Sequence, residues 1–578
     1  MEQRKPDYQS FLEVMETDMN EMERKSIRQT IRHMGLVQLV VVLPILGLLI
    51  SPMNAQLGGR ASAAGAGVCG LSDDFVNPPL ANDSSQPPPG LFNLQEFPND
   101  AGKLGVFHIS TDPDVFTSGS SFFGDLGTNQ RTCGTCHSLK EGMGLSASSA
   151  AQQFIRFNDP NNVDNSIPGQ GATNPLDPLF RAFDGSWTVA LAQAASKDKK
   201  DPDYIDPCIA YNNLIQHGLI KVVRDIPVGA QFTLGSVEPG VISGIEIAPE
   251  DPTKVTVYRR PLPAANLGRL NEDGTLAQDF TGPVMWDMRE SVNLDGFTFT
   301  VRKPFKDALL QQFENATTGH AQLDGAFDPD FTANAVDGVN FEMGLYSAQN
   351  SLHGVRTDEA DKISNKTGPF ALGGAQNVEI SFLAAPTGKV FDLFDPWATS
   401  TDKKKKLVFE GQELFNGTKL LSTGIKAGCQ ACHSRHNIGS SIGFGGTGRD
   451  PGFNIGISSN TGPTGAALTG SQSIDPVLFG KLIKYTLIKT GGPATCGGRL
   501  STQETWVTTD PGLALTTGLW CDIDKKKTPR LRALHHRPYF ANGAGTDLRR
   551  TVELYQGFLG ITLTSTEIDK LVAFLEAL

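Results

Sequence analysis

The chain has 578 residues, with 62 acidic and 50 basic side chains giving a formal net charge of −12, and eight cysteines. That length is enough for two or three domains with cores of their own. The acidic balance argues against nucleic acid as a partner.

From the N-terminus, Arg24, Lys25, Arg28, Arg32 and His33 precede an apolar run from Gly35 to Ile50 that is broken only by Gln38 and Pro44. The basic flank keeps the leader cytoplasmic, and the run lies near the lower length limit for a membrane-spanning helix. Residues 1–52 therefore read as a cytoplasmic leader with a signal or anchor segment. Signal peptidase can cut after Ala55 or after Ala61-Ser62-Ala63, or the segment stays as an anchor; a start at Met22 would make it an ordinary signal peptide. Residues 53–105 read as a Pro/Ser-rich linker, a tether in which Pro, Asn, Asp and Ser dominate from Leu71 to Phe97.

Next comes Cys133-Gly-Thr-Cys136-His137, within a Gly/Ser-bounded helical stretch, and its counterpart Cys429-Gln-Ala-Cys432-His433 lies far along the chain. Two cysteines three apart can each form a thioether to a haem vinyl group, and the following histidine is then held at the iron. The competing readings are half of a zinc site, for which His436 is the one further ligand near the second pentad, and a redox dithiol, which has no need of the histidine. Two such pentads in a chain with eight cysteines place covalent attachment of two haems c ahead of both. Such attachment takes place on the outer side of an energy-transducing membrane, so the expected location is periplasmic.

Between Ile226 and Val257, short β-branched runs alternate with Gly-Ser, Pro-Gly and Pro-Glu-Asp turns, a small β-rich insert within about 187–282. Lys306 to Asn315 reads as helix. Lys403 to Lys406 opens another, continued by Leu407, Phe409 and Leu414, with the lysines on a solvated helix start and a domain boundary near residue 400. Gly439 to Gly470 reads as a long Gly-rich loop. The chain closes on a helix with a capping box, Thr564-Ser-Thr-Glu567, and Ile568, Leu571, Val572 and Leu575 on one face. The expected fold is mainly α: two cytochrome c-type haem domains, 106–399 and 400–578, with long loops and the β-rich insert, behind an N-terminal membrane segment. Of the remaining cysteines, Cys496 with Cys521 closes a local loop and is the favoured disulfide; Cys69 with Cys208 follows only by elimination.

Taken together, these motifs resemble the bacterial di-haem cytochrome c peroxidase family, which includes the MauG-type enzymes. The similarity runs from about residue 105 to 578 and rests on Gly127-Thr-Asn-Gln-Arg-Thr-Cys-Gly-Thr-Cys-His137, Arg259 to Leu267, Met285-Trp-Asp-Met-Arg-Glu290, Gly411-x-x-Leu-Phe415, Lys527-Thr-Pro-Arg-Leu-Arg532 and Pro538-Tyr-Phe540. The resemblance implies a peroxide-reacting first haem on Cys133, Cys136 and His137, and an electron-transfer haem on Cys429, Cys432 and His433. Trp286 matches the tryptophan that lies between the haems in that family. Gln312 matches its active-site glutamine, but the glutamate position falls on Gln322, which cannot carry a proton; His320, two residues earlier, can. His320 is therefore the expected acid/base, with Gln312 as polar orienter.

No histidine follows His137 until His217, and Met143 is the only soft ligand nearby, so the first haem is expected to be open and high-spin. Met143, on a Gly-flanked loop, reads as packing. In the second domain the family's distal methionine is replaced by Phe540, which leaves Tyr539, His535 and His536 as candidate iron ligands, or a five-coordinate iron. The implied reaction is reduction of hydrogen peroxide to water, with a small c-type cytochrome, a copper protein or, for an anchored chain, quinol as donor. The alternatives are MauG-like oxidation of a partner protein's side chain and a membrane-tethered electron carrier. Members of the family often bind calcium (Ca2+) between the domains, and no residues stand out here as its ligands. A homodimer is compatible with the resemblance and is marked by no residue.

Overall fold

Helices form where the sequence carries local signals for them. Asp402 accepts backbone hydrogen bonds from Lys404 and Lys405 and so starts helix Lys403–Phe415. Thr564 and Glu567 cap each other's backbone and start helix Ser565–Glu576. Helices Phe305–Gly319 and Pro329–Gly344 pack against each other through Phe313, Phe331 and Val339. The computed structural model describes residues 93–578 apart from several internal segments, the longest being 159–178, 374–390, 434–451 and 460–479. The leader, most of the linker, Cys69, His436, His536 and most of the Gly-rich loop lie outside the described residues.

The expectation of a mainly α fold is overturned, and the expected membrane segment lies outside the described residues. Strands build much of the described structure: a four-stranded sheet, a three-stranded sheet and several two-stranded ribbons. The four-stranded sheet begins with Leu94–Asn99, inside the expected linker, which pairs with Gly102–His108; that strand pairs in turn with Leu345–Leu352, setting Phe107 opposite Tyr346. In the three-stranded sheet Phe232–Glu238 of the insert pairs with Lys484–Lys489, which also pairs with Thr505–Thr508. These strands are short, and the pairings of Gly102–His108 with Leu345–Leu352 and of Phe232–Glu238 with Lys484–Lys489 span hundreds of residues, so they leave little local trace beside the louder helix periodicity. Among the described residues no helix is long and apolar enough to cross a membrane, and the Gly35–Ile50 run is not among them.

Residues 66–578 form one compact unit. Its largest core joins Trp187, Val257 and Trp286 from the first half of the chain to Tyr485, Trp506, Trp520 and Phe540 from the second. A second core, around Phe394, Trp397, Phe415 and Phe574, lies where helices Lys403–Phe415 and Ser565–Glu576 meet. Gly411 permits that approach, since a Cβ there would fall 2.0 Å from the Lys570 carbonyl oxygen. Cys496 and Cys521 are joined in a disulfide with their Cα atoms 5.2 Å apart. Cys208 is also disulfide-bonded, and its expected partner Cys69 is outside the described residues.

Candidate functional site

Both pentads fold into the same tight turn. The His137 amide donates to the Cys133 carbonyl at 3.0 Å, and the His433 amide to the Cys429 carbonyl at 3.0 Å. None of the four pentad cysteines is in a disulfide. Burial pushes Cys429 up to about 11, and burial with the neighbouring Cys429 pushes Cys432 up to about 12. Burial also raises Cys133 far above the ordinary thiol range, reinforced by the nearby Glu342. A redox dithiol works through a thiolate of lowered pKa, so these environments oppose that reading. Among the described residues no group of three or more His, Cys, Asp or Glu could hold a metal ion, and His436 lies outside them.

His137 is oriented for ligation. Its Nδ1 lies 2.9 Å from the Met143 carbonyl oxygen. Donation of Nδ1–H to that carbonyl leaves Nε2 as a bare lone pair, the arrangement a metal-binding imidazole requires. Burial lowers the His137 pKa and keeps the ring neutral. Met143 sits in the left-handed region at φ 66°, and its carbonyl also accepts from the Ala264 amide at 3.0 Å. Its side chain is fully buried in a core with Phe122 and Leu345. The soft ligand after the first pentad is thus packing.

A cavity opens beside this turn; together with the open solvent at its mouth, the space not filled by atoms is about 1470 Å³. Cys133, Cys136 and His137 line it, together with Trp286, Gln312 and His320. Residues from distant parts of the chain thus share one cavity.

His320 caps the end of helix Phe305–Gly319. Its Nδ1 lies 3.1 Å from Asp184 Oδ1, and Asp184 is also hydrogen-bonded and ion-paired to Arg131. Arg131 in turn donates to the Leu179 carbonyl at 2.8 Å. Burial alone would raise the Asp184 pKa, but His320 and Arg131 outweigh it and hold the carboxyl below its usual range. Sequence reasoning missed both partners. Asp184 sits in Phe-Asp-Gly-Ser-Trp (183–187), a turn composition with no chemical mark, 136 positions from His320.

Trp286 is buried, and its indole N–H donates to the Arg260 carbonyl at 2.7 Å. Lys527 lines the same cavity at 5% exposure, and its ammonium has no hydrogen bond or ion pair with any described residue. Burial, with Arg530 nearby, pulls its pKa well below the ordinary lysine range. Glu342, also buried in the wall, is pushed up to about 8 by burial. A buried amine without a carboxylate partner gains a proton when a ligand brings its own carboxylate, as a haem does. The thiols, the oriented imidazole, the cavity and this amine therefore fit the group that the pentads point to.

The second pentad is buried at His433, with the Phe415 ring centroid 6.2 Å from its imidazole. Burial, with Cys432 and Cys429 adjacent, raises the Tyr555 phenol well above its usual range, so it stays neutral. Of the candidate distal ligands, Tyr539 is buried and its hydroxyl donates to the Leu534 carbonyl oxygen. Burial and the Arg537 charge pull His535 down to about 4, and its Nε2 is buried with no partner among the described residues. His536 is not among the described residues. The Phe540 ring centroid lies 5.4 Å from that of Tyr555. No protein-family model matches the chain, nor does any curated protein or solved structure to which it was compared.

Proposed function

We propose that the chain is a di-haem c oxidoreductase of the cytochrome c peroxidase type, reducing hydrogen peroxide to two waters with two protons and two electrons. The observation that carries this reading is the single cavity lined by Cys133, Cys136 and His137 together with Trp286, Gln312 and His320. Cys133 and Cys136 would hold the macrocycle, His137 Nε2 its iron, and Lys527 would neutralise a carboxylate at its edge. Haem, when bound, supplies an iron that accepts an oxygen ligand and exchanges electrons singly.

His320 takes the proton from the near oxygen of peroxide and returns it to the far oxygen as water leaves, and Gln312 orients the peroxide by hydrogen bonding. Trp286 carries electrons toward the cavity from the side of Cys429, Cys432 and His433, which would hold the second haem. Packing of Met143 into the core supports an open first site, whereas an electron carrier gains by closing both. Attachment by thioethers places the protein outside the cytoplasmic membrane, with a small c-type cytochrome or a copper protein as donor.

Replacing His320 by alanine in the haem-loaded protein tests the assignment. Peroxide-dependent oxidation of the reduced donor should slow by about 10²–10⁴-fold, the usual contribution of a positioned acid/base. An unchanged rate removes His320 from the mechanism.

A further inference from the structure

We infer that Asp184 is a positioning residue for His320, anchored by Arg131, and that this relay keeps His320 Nε2 bare toward the cavity. The inference rests on the proposed acid/base role of His320 and adds to it the residue that makes the role work.

His320 is 35% exposed at a helix end, and nothing in its own helix fixes the ring. Among the described residues its side-chain partner is Asp184, 2% exposed and 3.1 Å away through Nδ1. A carboxylate can only accept, so it selects the tautomer with hydrogen on Nδ1 and leaves Nε2 able to take a proton. Asp184 does not stand alone. Arg131 binds it from the other side, and the Arg131 guanidinium and the Asn129 amide both donate to the His320 carbonyl oxygen, at 3.4 and 2.8 Å. Arg131 stands two residues before Cys133, so the segment that would carry the macrocycle also anchors the residue that holds the His320 ring. Besides Asp184 and Arg131 themselves, charged or titratable groups close enough to act on this unit include His137 and Tyr211, whose phenol burial keeps neutral.

Asp184→Asn is the informative change. Arg131 offers only donors and will take the single amide oxygen of the new side chain. The amide NH₂ then faces His320 Nδ1 and forces hydrogen onto Nε2, the tautomer that cannot accept a proton. In other enzymes, imposing the wrong tautomer on a catalytic imidazole in this way costs about 10⁴-fold in turnover.

The test uses the haem-loaded full chain in its oxidised form and follows cyanide association by absorbance. Cyanide arrives as hydrogen cyanide, which must give its proton to a base in the pocket, so the rate reports the base without turnover. H320A and D184N should each slow association by about 100-fold or more, and D184E, which keeps the carboxylate, should recover at least a tenth of the lost rate. D184N should add nothing in the H320A background, because both changes remove one unit. Should D184N fail to fold, D184S removes the same carboxylate and is expected to match it. A slow H320A with a D184N that stays within threefold of wild type overturns the inference alone. So does a D184N that slows the H320A protein further by its full factor, the mark of a merely structural role. An unchanged H320A overturns the acid/base reading together with the inference.

Discussion

Arg259 ties the β-rich insert to the second half of the chain, and replacing it by methionine tests how much that joint contributes. The side chain is 3% exposed. Its Nε and Nη2 donate to Asp510 at 2.8 Å each, and Nη1 donates to Asp287 at 2.7 Å. Methionine keeps the apolar stem and removes all three hydrogen bonds. Asp287 would retain Arg289 at 3.0 Å and Arg224 at 3.5 Å, and Asp510 would retain Lys526 at 3.5 Å and the Gly512 amide at 2.9 Å. Removing one partner of a buried ion pair costs about 3–5 kcal/mol. The remaining cations place the cost at the lower end, about 3 kcal/mol. With a urea slope of about 3 kcal/mol per molar or more for a chain of this size, the midpoint should fall by up to about 1 M. Far-UV circular dichroism through a urea titration reads it. A midpoint within about 0.2 M of wild type at unchanged slope would refute the reasoning, since it would leave this buried cluster without energetic weight.

Gly411→Ala places a methyl group against the Lys570 carbonyl oxygen, at an ideal separation of 2.0 Å, so helices Lys403–Phe415 and Ser565–Glu576 must move apart. The expected loss is about 1–3 kcal/mol, read as a lower urea midpoint, and a neutral substitution would contradict the close crossing. Acid should act on the same cluster as Arg259. Burial alone would raise the Asp287 and Asp510 pKa values, but the neighbouring cations, Arg259 foremost, hold both below the usual carboxylate range. Groups with depressed folded pKa values contribute stability that is present above the unfolded value of about 3.9 and is lost as pH falls through the folded ones. Urea midpoints should therefore show no loss from this pair between pH 7 and pH 5 and a decline below about pH 4, and R259M should weaken that acid dependence.

Features encoded within a few residues were legible in the sequence. The pentad turns, the Thr564–Glu567 capping box and the disulfide between Cys496 and Cys521 each depend on short spacings. The alternation between Ile226 and Val257 marked strands but could not name their partners. Pairing of Thr486 with Ser236 is a long-range choice set by which faces get buried together. The mainly α expectation failed for that reason: helices announce themselves locally, whereas Leu345–Leu352 shows its role only beside Gly102–His108. In the cavity, residue type and motif drew attention to Trp286, Gln312 and His320. Asp184, Arg131 and Lys527 draw their importance from burial and from neighbours, which no periodicity records.

Intact-mass measurement of the mature chain is the most direct test of whether both Cys-x-x-Cys-His turns carry haem. Two covalently added macrocycles are predicted, falling to one when Cys133 and Cys136, or Cys429 and Cys432, are replaced by alanine. A mature chain bearing no added macrocycle, with its pentad thiols free, oxidised to disulfides or holding zinc, would contradict the proposal at its root.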